Sequence, residues 1–198
     1  MDKYTSTIKS MSFLYNELKI ACKLVLQGVQ EKELKQKSIE ENIFMVNSES
    51  RKKEIASTAA KRIKALDEFS IEKIANGNLQ TSKQLALYSI LKTDRLFFEF
   101  MNDVYKDKYI LRYFIIEDKD LDIFFQKKAQ QNDKIASWKE YTFYKLKQVY
   151  KRILIEAGFA KKNNKNIEII PPIMEIEVIE HLKEKGDTAF LNAMLGEI

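Results

Sequence analysis

The chain has 198 residues, 45% of them hydrophobic, with 12 Phe and 9 Tyr against 5 Gly and 2 Pro. That length suits one large domain or two small ones with a real core, and the scarcity of breakers favours long helices over a strand-and-turn fold. A formal net charge of +5 permits an anionic partner without demanding one, and the lone Cys22 excludes an intrachain disulfide and a cysteine-based metal site.

Met1 to Ser10 is polar and lacks a signal-peptide core. No apolar run approaches the roughly 20 residues of a membrane span, so a cytoplasmic protein that avoids membranes is expected. The first helix is predicted from about Ser10 to Leu26, where Phe13, Leu14, Leu18, Ala21, Val25 and Leu26 recur at helical spacing. Gly28 is its stop. A second helix covers Glu31 to Glu41, and Asn42 to Asn47 is a connection with buried apolar residues. Ser48 or Ser50 caps a third helix that runs to about Leu66.

On a wheel of about 100° per residue, Ile55, Ala56, Ala59, Ala60, Ile63 and Leu66 of this third helix share one face. Lys53, Ser57, Lys61 and Lys64 share the other, with Arg51 and Arg62 at its margin. Arg51 to Lys64 holds six basic residues against one acid. A short helix, a tight connection and a basic amphipathic helix form the layout of a helix-turn-helix unit. Arg51, Lys53, Ser57 and Lys61 are therefore candidate nucleic-acid contacts; a merely solvated helix face has the same pattern.

Ile71 to Ala75 predicts a short helix ended at Asn76-Gly77-Asn78, and Thr81 or Ser82 caps the next, which carries Leu85 to Leu91. Leu96, Phe97, Phe98, Phe100, Met101, Val104 and Tyr105 cover too much of the wheel for a surface helix, so this segment is the expected hub. Tyr109 to Ile116 is β-branched and aromatic, a helix end or a short strand. Glu117-Asp118 starts a helix with Leu121, Ile123, Phe124 and Phe125 on its apolar side. The expected boundary falls near residues 115 to 117, between an N-terminal helical domain (1–115) and a C-terminal winged-helix-like domain (116–198).

Ser137-Trp138-Lys139-Glu140 has the capping-box spacing. It predicts a helix from there to about Ala157, stopped by Gly158. Thr142, Phe143, Leu146, Val149, Tyr150, Ile153, Leu154 and Ala157 span its buried side. Tyr141, Tyr144 and Gln148 face outward, flanked by Lys147 and Lys151 on one edge and by Lys145 and Arg152 on the other. Ser137 to Lys165 carries eight basic residues against two acids. Lysine and arginine neutralise phosphates, tyrosine hydroxyls bond to phosphate or base edges, and a glutamine amide can pair with adenine. The N-terminal part of a recognition helix approaches the bases, which favours Lys139, Tyr141, Thr142, Lys145 and Gln148. The loop Ala160 to Asn166, with Lys161, Lys162 and Lys165, and the strand-like Ile167 to Ile170 before Pro171-Pro172 follow in the order of a winged helix. The candidate nucleic-acid contacts here are Lys139, Tyr141, Thr142, Tyr144, Lys145, Gln148, Lys151, Arg152, Lys161, Lys162 and Lys165. A last helix pair, Glu175 to Lys183 and Thr188 to Leu195, lies in a tail with seven acids against two lysines.

Signals for catalysis are weak. His181 stands alone, Cys22 has no local His partner, and the five glycines are isolated, so no phosphate loop, metal site or cofactor is expected. Asp118, Asp120 and Asp122 do not share one helix face, so capping and solvation explain them. The expected fold class is all-α, mainly helical, with a small β-wing and helix-turn-helix or winged-helix character in both halves.

Four stretches also carry a family likeness: Tyr4 to Lys9, Ser12 to Glu17, Lys92 to Met101 and Val149 to Gly158. They resemble the BrxA proteins of BREX phage-defence systems, over nearly the whole chain and including Pro171-Pro172-Ile173. The resemblance implies a bacterial, cytoplasmic, helical protein that binds DNA beside a methyltransferase, an ATPase and a phosphatase-like component. It also implies a distant likeness to NusB-type helical RNA-binding proteins. It supplies no residue set, so the contact residues rest on the wheels alone. The expected function is a non-catalytic, duplex-DNA-binding defence component that works with other BREX proteins; RNA binding and a protein–protein scaffold remain the alternatives.

Overall fold

The computed structural model describes residues 3–196. The chain divides between Thr93 and Asp94: residues 11–93 form one compact unit, and residues 3–10 join residues 94–196 in the other. The boundary expected near 115–117 instead lies inside the second unit, because Ile115–Ile116 is a strand paired with residues 167 and 168 of that unit.

The first unit is all helix: α1 (Tyr15–Leu26), α2 (Glu31–Glu40), α3 (Glu49–Lys64), α4 (Glu68–Asn76) and α5 (Leu79–Thr93). α1 starts later than its apolar spacing suggests, because Leu14 sits at φ 49° and cannot continue a right-handed helix. Ser48 caps α3, accepting from Arg51 N at 3.4 Å. Ile55, Ala56, Ala59, Ala60 and Ile63 are buried, as the wheel requires, whereas Lys53, Ser57, Lys61 and Lys64 are exposed. Arg62 departs from the expected basic margin. It is 3% exposed, and its guanidinium donates to the carbonyls of Met11, Ser12 and Phe13 just before α1. Those carbonyls lie outside any helix ladder, and the rigid five-donor fork satisfies all of them together. Neither Thr81 nor Ser82 caps α5. Asn78 does, accepting from Thr81 N at 2.9 Å, while Thr81 and Ser82 are buried inside the unit.

The second unit is built on a nearly continuous segment: α6 (Arg95–Phe100), a π-helical turn (Met101–Tyr105) and α7 (Lys106–Ile110). Leu96, Phe97, Phe100, Met101, Val104 and Tyr105 are buried, which makes this segment the hub its sequence describes. Phe97 meets Tyr150 edge-on at 4.9 Å, and Phe100 lies 5.0 Å from the same ring. The strand β1 (Ile115–Ile116) follows, then α8 (Asp118–Gln131), the short α9 (Asp133–Ala136) and α10 (Glu140–Ala157). A hairpin of β2 (Ala160–Asn163) and β3 (Asn166–Ile169) precedes α11 (Ile176–Glu184) and α12 (Thr188–Leu195). The sheet order is β1-β3-β2, antiparallel throughout. Ile123 was expected on the buried side of α8 and is 62% exposed; Leu121, Phe124 and Phe125 carry the packing.

The hub segment also carries an ionic cluster. Lys128, 8% exposed, reaches Glu99 at 2.8 Å and Asp103 at 2.9 Å. Glu99 also accepts from Arg95 at 2.8 Å and from the Tyr4 hydroxyl at 2.9 Å. The N-terminal segment is thus tied into the second unit by a charge-assisted bond.

Candidate nucleic-acid interface

The candidate surface begins with the ends of α10. Ser137 does not cap it. That hydroxyl donates back to Lys134 O at 2.8 Å at the close of α9, and α10 starts three residues later with Lys139 extended at its N-cap. Asn132 caps α9 instead, accepting from Ile135 N. At the other end Gly158 takes φ 83°, and Phe159 N bonds back to Leu154 O at 2.8 Å. This left-handed closure turns the chain straight into β2.

Between those ends the wheel separates as expected. Leu146, Val149, Tyr150, Ile153, Leu154 and Ala157 are buried, Thr142 and Phe143 are half-buried, and Tyr141 and Tyr144 are 66% and 51% exposed. Gln148 and Arg152 are exposed, as is Lys139 at the N-cap. Lys145 lies over both tyrosine rings, 5.4 Å from the centroid of Tyr141 and 5.8 Å from that of Tyr144.

The hairpin stands beside this face. Lys162 pairs in register with Ile167, and Asn163 with Asn166, leaving Asn164 and Lys165 at the tip. Asn164 adopts φ 53°, a conformation asparagine tolerates. Ala160, Ile167 and Ile169 point inward, whereas Lys161, Lys162 and Lys165 are exposed. Lys161 is partly neutralised by Glu168 across the strands at 3.0 Å. An open groove of about 700 Å³ runs between helix and hairpin, lined by Tyr144, Gln148, Lys151, Arg152, Lys162 and Lys165 among others. Lys139, Tyr141, Thr142, Lys145 and Lys161 lie outside its lining. Arg51, Lys53, Ser57 and Lys61 belong to the other unit. There Lys53 pairs with Glu49 at 2.5 Å, and Lys61 donates to Thr93 O at 2.8 Å.

Two residues of this surface are missing from the sequence-derived set. Asp118 holds Lys151 and Asp122 holds Lys147, each at 2.6 Å. The lysine side chains are 13% and 20% exposed and the aspartates 58% and 59%, so α8 presents carboxylate to solvent on this side. Lys151 also donates to Lys165 O at 2.9 Å, tying α10 to the hairpin tip. The shared four-residue spacing, 118/122 against 147/151, was the available signal. Asp120 faces elsewhere, accepting from Glu117 N and pairing with Lys108 at 2.7 Å, so the three aspartates do not converge. Among the described residues no group of His, Cys, Asp and Glu is arranged to hold a metal ion, and no helix is long and apolar enough to cross a membrane. Cys22 is buried in α1, and burial pushes its thiol up to about 12, which keeps it protonated at neutral pH.

Fold and surface together define a mainly helical protein that sets a long cationic helix beside a three-stranded sheet and its basic hairpin. The chain belongs to the BrxA family, whose model matches residues 2–186. It is 51% identical over 194 residues to a protein named BREX protein BrxA from Bacillus cereus (strain H3081.97), covering 98% of this chain and 97% of that one. A second protein of that name, from Paramagnetospirillum magneticum (strain ATCC 700264 / AMB-1), is 22% identical over 185 residues, covering 93% of this chain and 92% of its own length. The crystal structure of an uncharacterized protein from Magnetospirillum magneticum has the same fold, with a TM-score of 0.83, 21% identity, and 98% of this chain and 99% of that chain covered.

Proposed function

We propose that this protein is a non-catalytic component of a BREX phage-defence system that binds duplex DNA through α10 and the β2–β3 hairpin and works with other BREX proteins. The observation that carries this reading is the groove, in which the outward face of α10 and the hairpin tip gather Arg152, Lys162 and Lys165 around the polar side chains of Tyr144 and Gln148. The element order supports it. A helix, a short strand, the helices α8, the four-residue α9 and α10, and a hairpin whose second strand pairs with β1 follow the order of a winged helix, and this reading gives α10 the recognition role. Phosphate neutralisation supplies affinity, and the exposed neutral side chains of Tyr144 and Gln148 at the centre of the face offer their remaining polar capacity to base edges.

The test is a titration of matched duplex DNA, single-stranded DNA and RNA at several salt concentrations. Duplex DNA binds tightest, and log affinity falls with log salt with a slope near −5 for roughly six phosphates. Replacing Lys145 and Arg152 together with Ala weakens binding and flattens that slope by about 2. Tighter binding of RNA transfers the surface to an RNA-binding role, and binding of neither nucleic acid leaves a protein–protein scaffold.

A further inference from the structure

Gln148 is an exposed, uncharged side chain at the centre of a cationic helix face. It cannot neutralise a phosphate, and its amide is held on both ends. Nε2 donates to the Tyr144 hydroxyl at 2.8 Å, and Oε1 stands 3.5 Å from the Lys145 ammonium. The orientation follows from donor chemistry. An ammonium is donor-only, so the end of the amide turned toward Lys145 is the oxygen, and the amine end faces the hydroxyl, which accepts. These two contacts leave one N–H and one oxygen lone pair of the amide unused.

We infer that Gln148 reads adenine in the major groove of the bound duplex, with Tyr144 and Lys145 fixing the amide in the orientation that adenine needs. This rests on the duplex-binding reading above and adds base specificity to it. Adenine presents N7 as acceptor and its N6 amine as donor, matching the remaining N–H and lone pair of Gln148. Guanine presents two acceptors, N7 and O6, and would face Oε1 with a second oxygen. An amide free to rotate could turn its amine toward either acceptor; the 2.8 Å bond to Tyr144, with the Lys145 ammonium beside the oxygen, disfavours that turn. Tyr144 and Lys145 are positioning residues for this contact.

Selection from a random-core duplex library with the full chain and with Gln148→Ala tests the inference. The full chain enriches an A·T pair at one position, and loss of that pair lowers affinity by about tenfold. Gln148→Ala binds with the same salt slope and no preference at that position, and Gln148→Glu, which offers only acceptors, shifts the preference toward cytosine. A salt-dependent but base-indifferent full chain, or an A·T preference that survives Gln148→Ala, overturns the inference and leaves duplex binding intact. Failure to bind any duplex overturns both.

Discussion

Replacing Lys128 with Met removes an ammonium shared by two carboxylates while keeping an unbranched stem against the Phe124 ring, 5.4 Å from the present ammonium. Two charge-assisted bonds are lost, to Glu99 at 2.8 Å and to Asp103 at 2.9 Å. Breaking a fully buried pair costs about 3–5 kcal/mol. Here the Asp103 side chain is 35% exposed and Glu99 keeps Arg95 and Tyr4, so the expected loss at about pH 7 is smaller, on the order of 2 kcal/mol. The pH dependence has a definite sign. Burial alone would raise both carboxyl pKa values, but hydrogen bonds, including those from Lys128, outweigh it and hold both below the ordinary range. Their stabilisation is therefore present above about pH 4 and disappears as pH falls through the lowered folded-state values. Burial likewise opposes the charge on Lys128, and its carboxylate partners overcome it and raise its pKa. That contribution is present below about pH 10 and is lost as pH rises through the raised folded value. Urea unfolding followed by circular dichroism should show the variant's deficit at about pH 7 and its narrowing at about pH 3. An unchanged midpoint at neutral pH, or a deficit equally large in acid, would refute the reasoning.

Other perturbations probe the remaining parts of the molecule. Asp118→Asn with Asp122→Asn releases Lys151 and Lys147 from the 2.6 Å pairs that hold them, so duplex affinity should rise at low salt and the salt slope should steepen by up to about 2; unchanged binding would mean that neither lysine reaches a phosphate. Arg62→Met leaves the carbonyls of Met11, Ser12 and Phe13 without their donor and should cost about 3 kcal/mol in chemical denaturation. Arg62→Lys recovers part of that loss, because one ammonium cannot span the same fork. Gly158→Ala meets no atom within 4 Å, so its effect is backbone strain at φ 83° alone, about 1 kcal/mol by thermal melting.

Much of the architecture was legible in the chain because helix periodicity is a local property. The apolar spacing of residues 142–157 placed the buried side of α10, and Gly158 marked its end where the structure closes it. The exposed positions Tyr141, Tyr144, Gln148 and Arg152 followed from the same arithmetic. Helix starts were less legible. Ser137 and Thr81 have cap-like chemistry, but a cap needs the right backbone geometry as well as the right side chain, and Lys139 and Asn78 occupy those positions instead.

What the sequence determined by itself was the helical class, the division of each amphipathic helix into core and solvent faces, and the blocks of positive charge, since each depends on neighbours within a few turns. Tertiary structure decided the rest, because it depends on residues distant in the chain. It turned Arg62 from a surface cation into the buried donor for the loop before α1. It set Asp118 and Asp122 against Lys151 and Lys147, so that an apparent row of lysines shows carboxylates to solvent. It also paired Ile115–Ile116 with β3, which moved the expected boundary back to residue 93. Periodicity tells which side of a helix turns inward; only the fold tells what stands opposite.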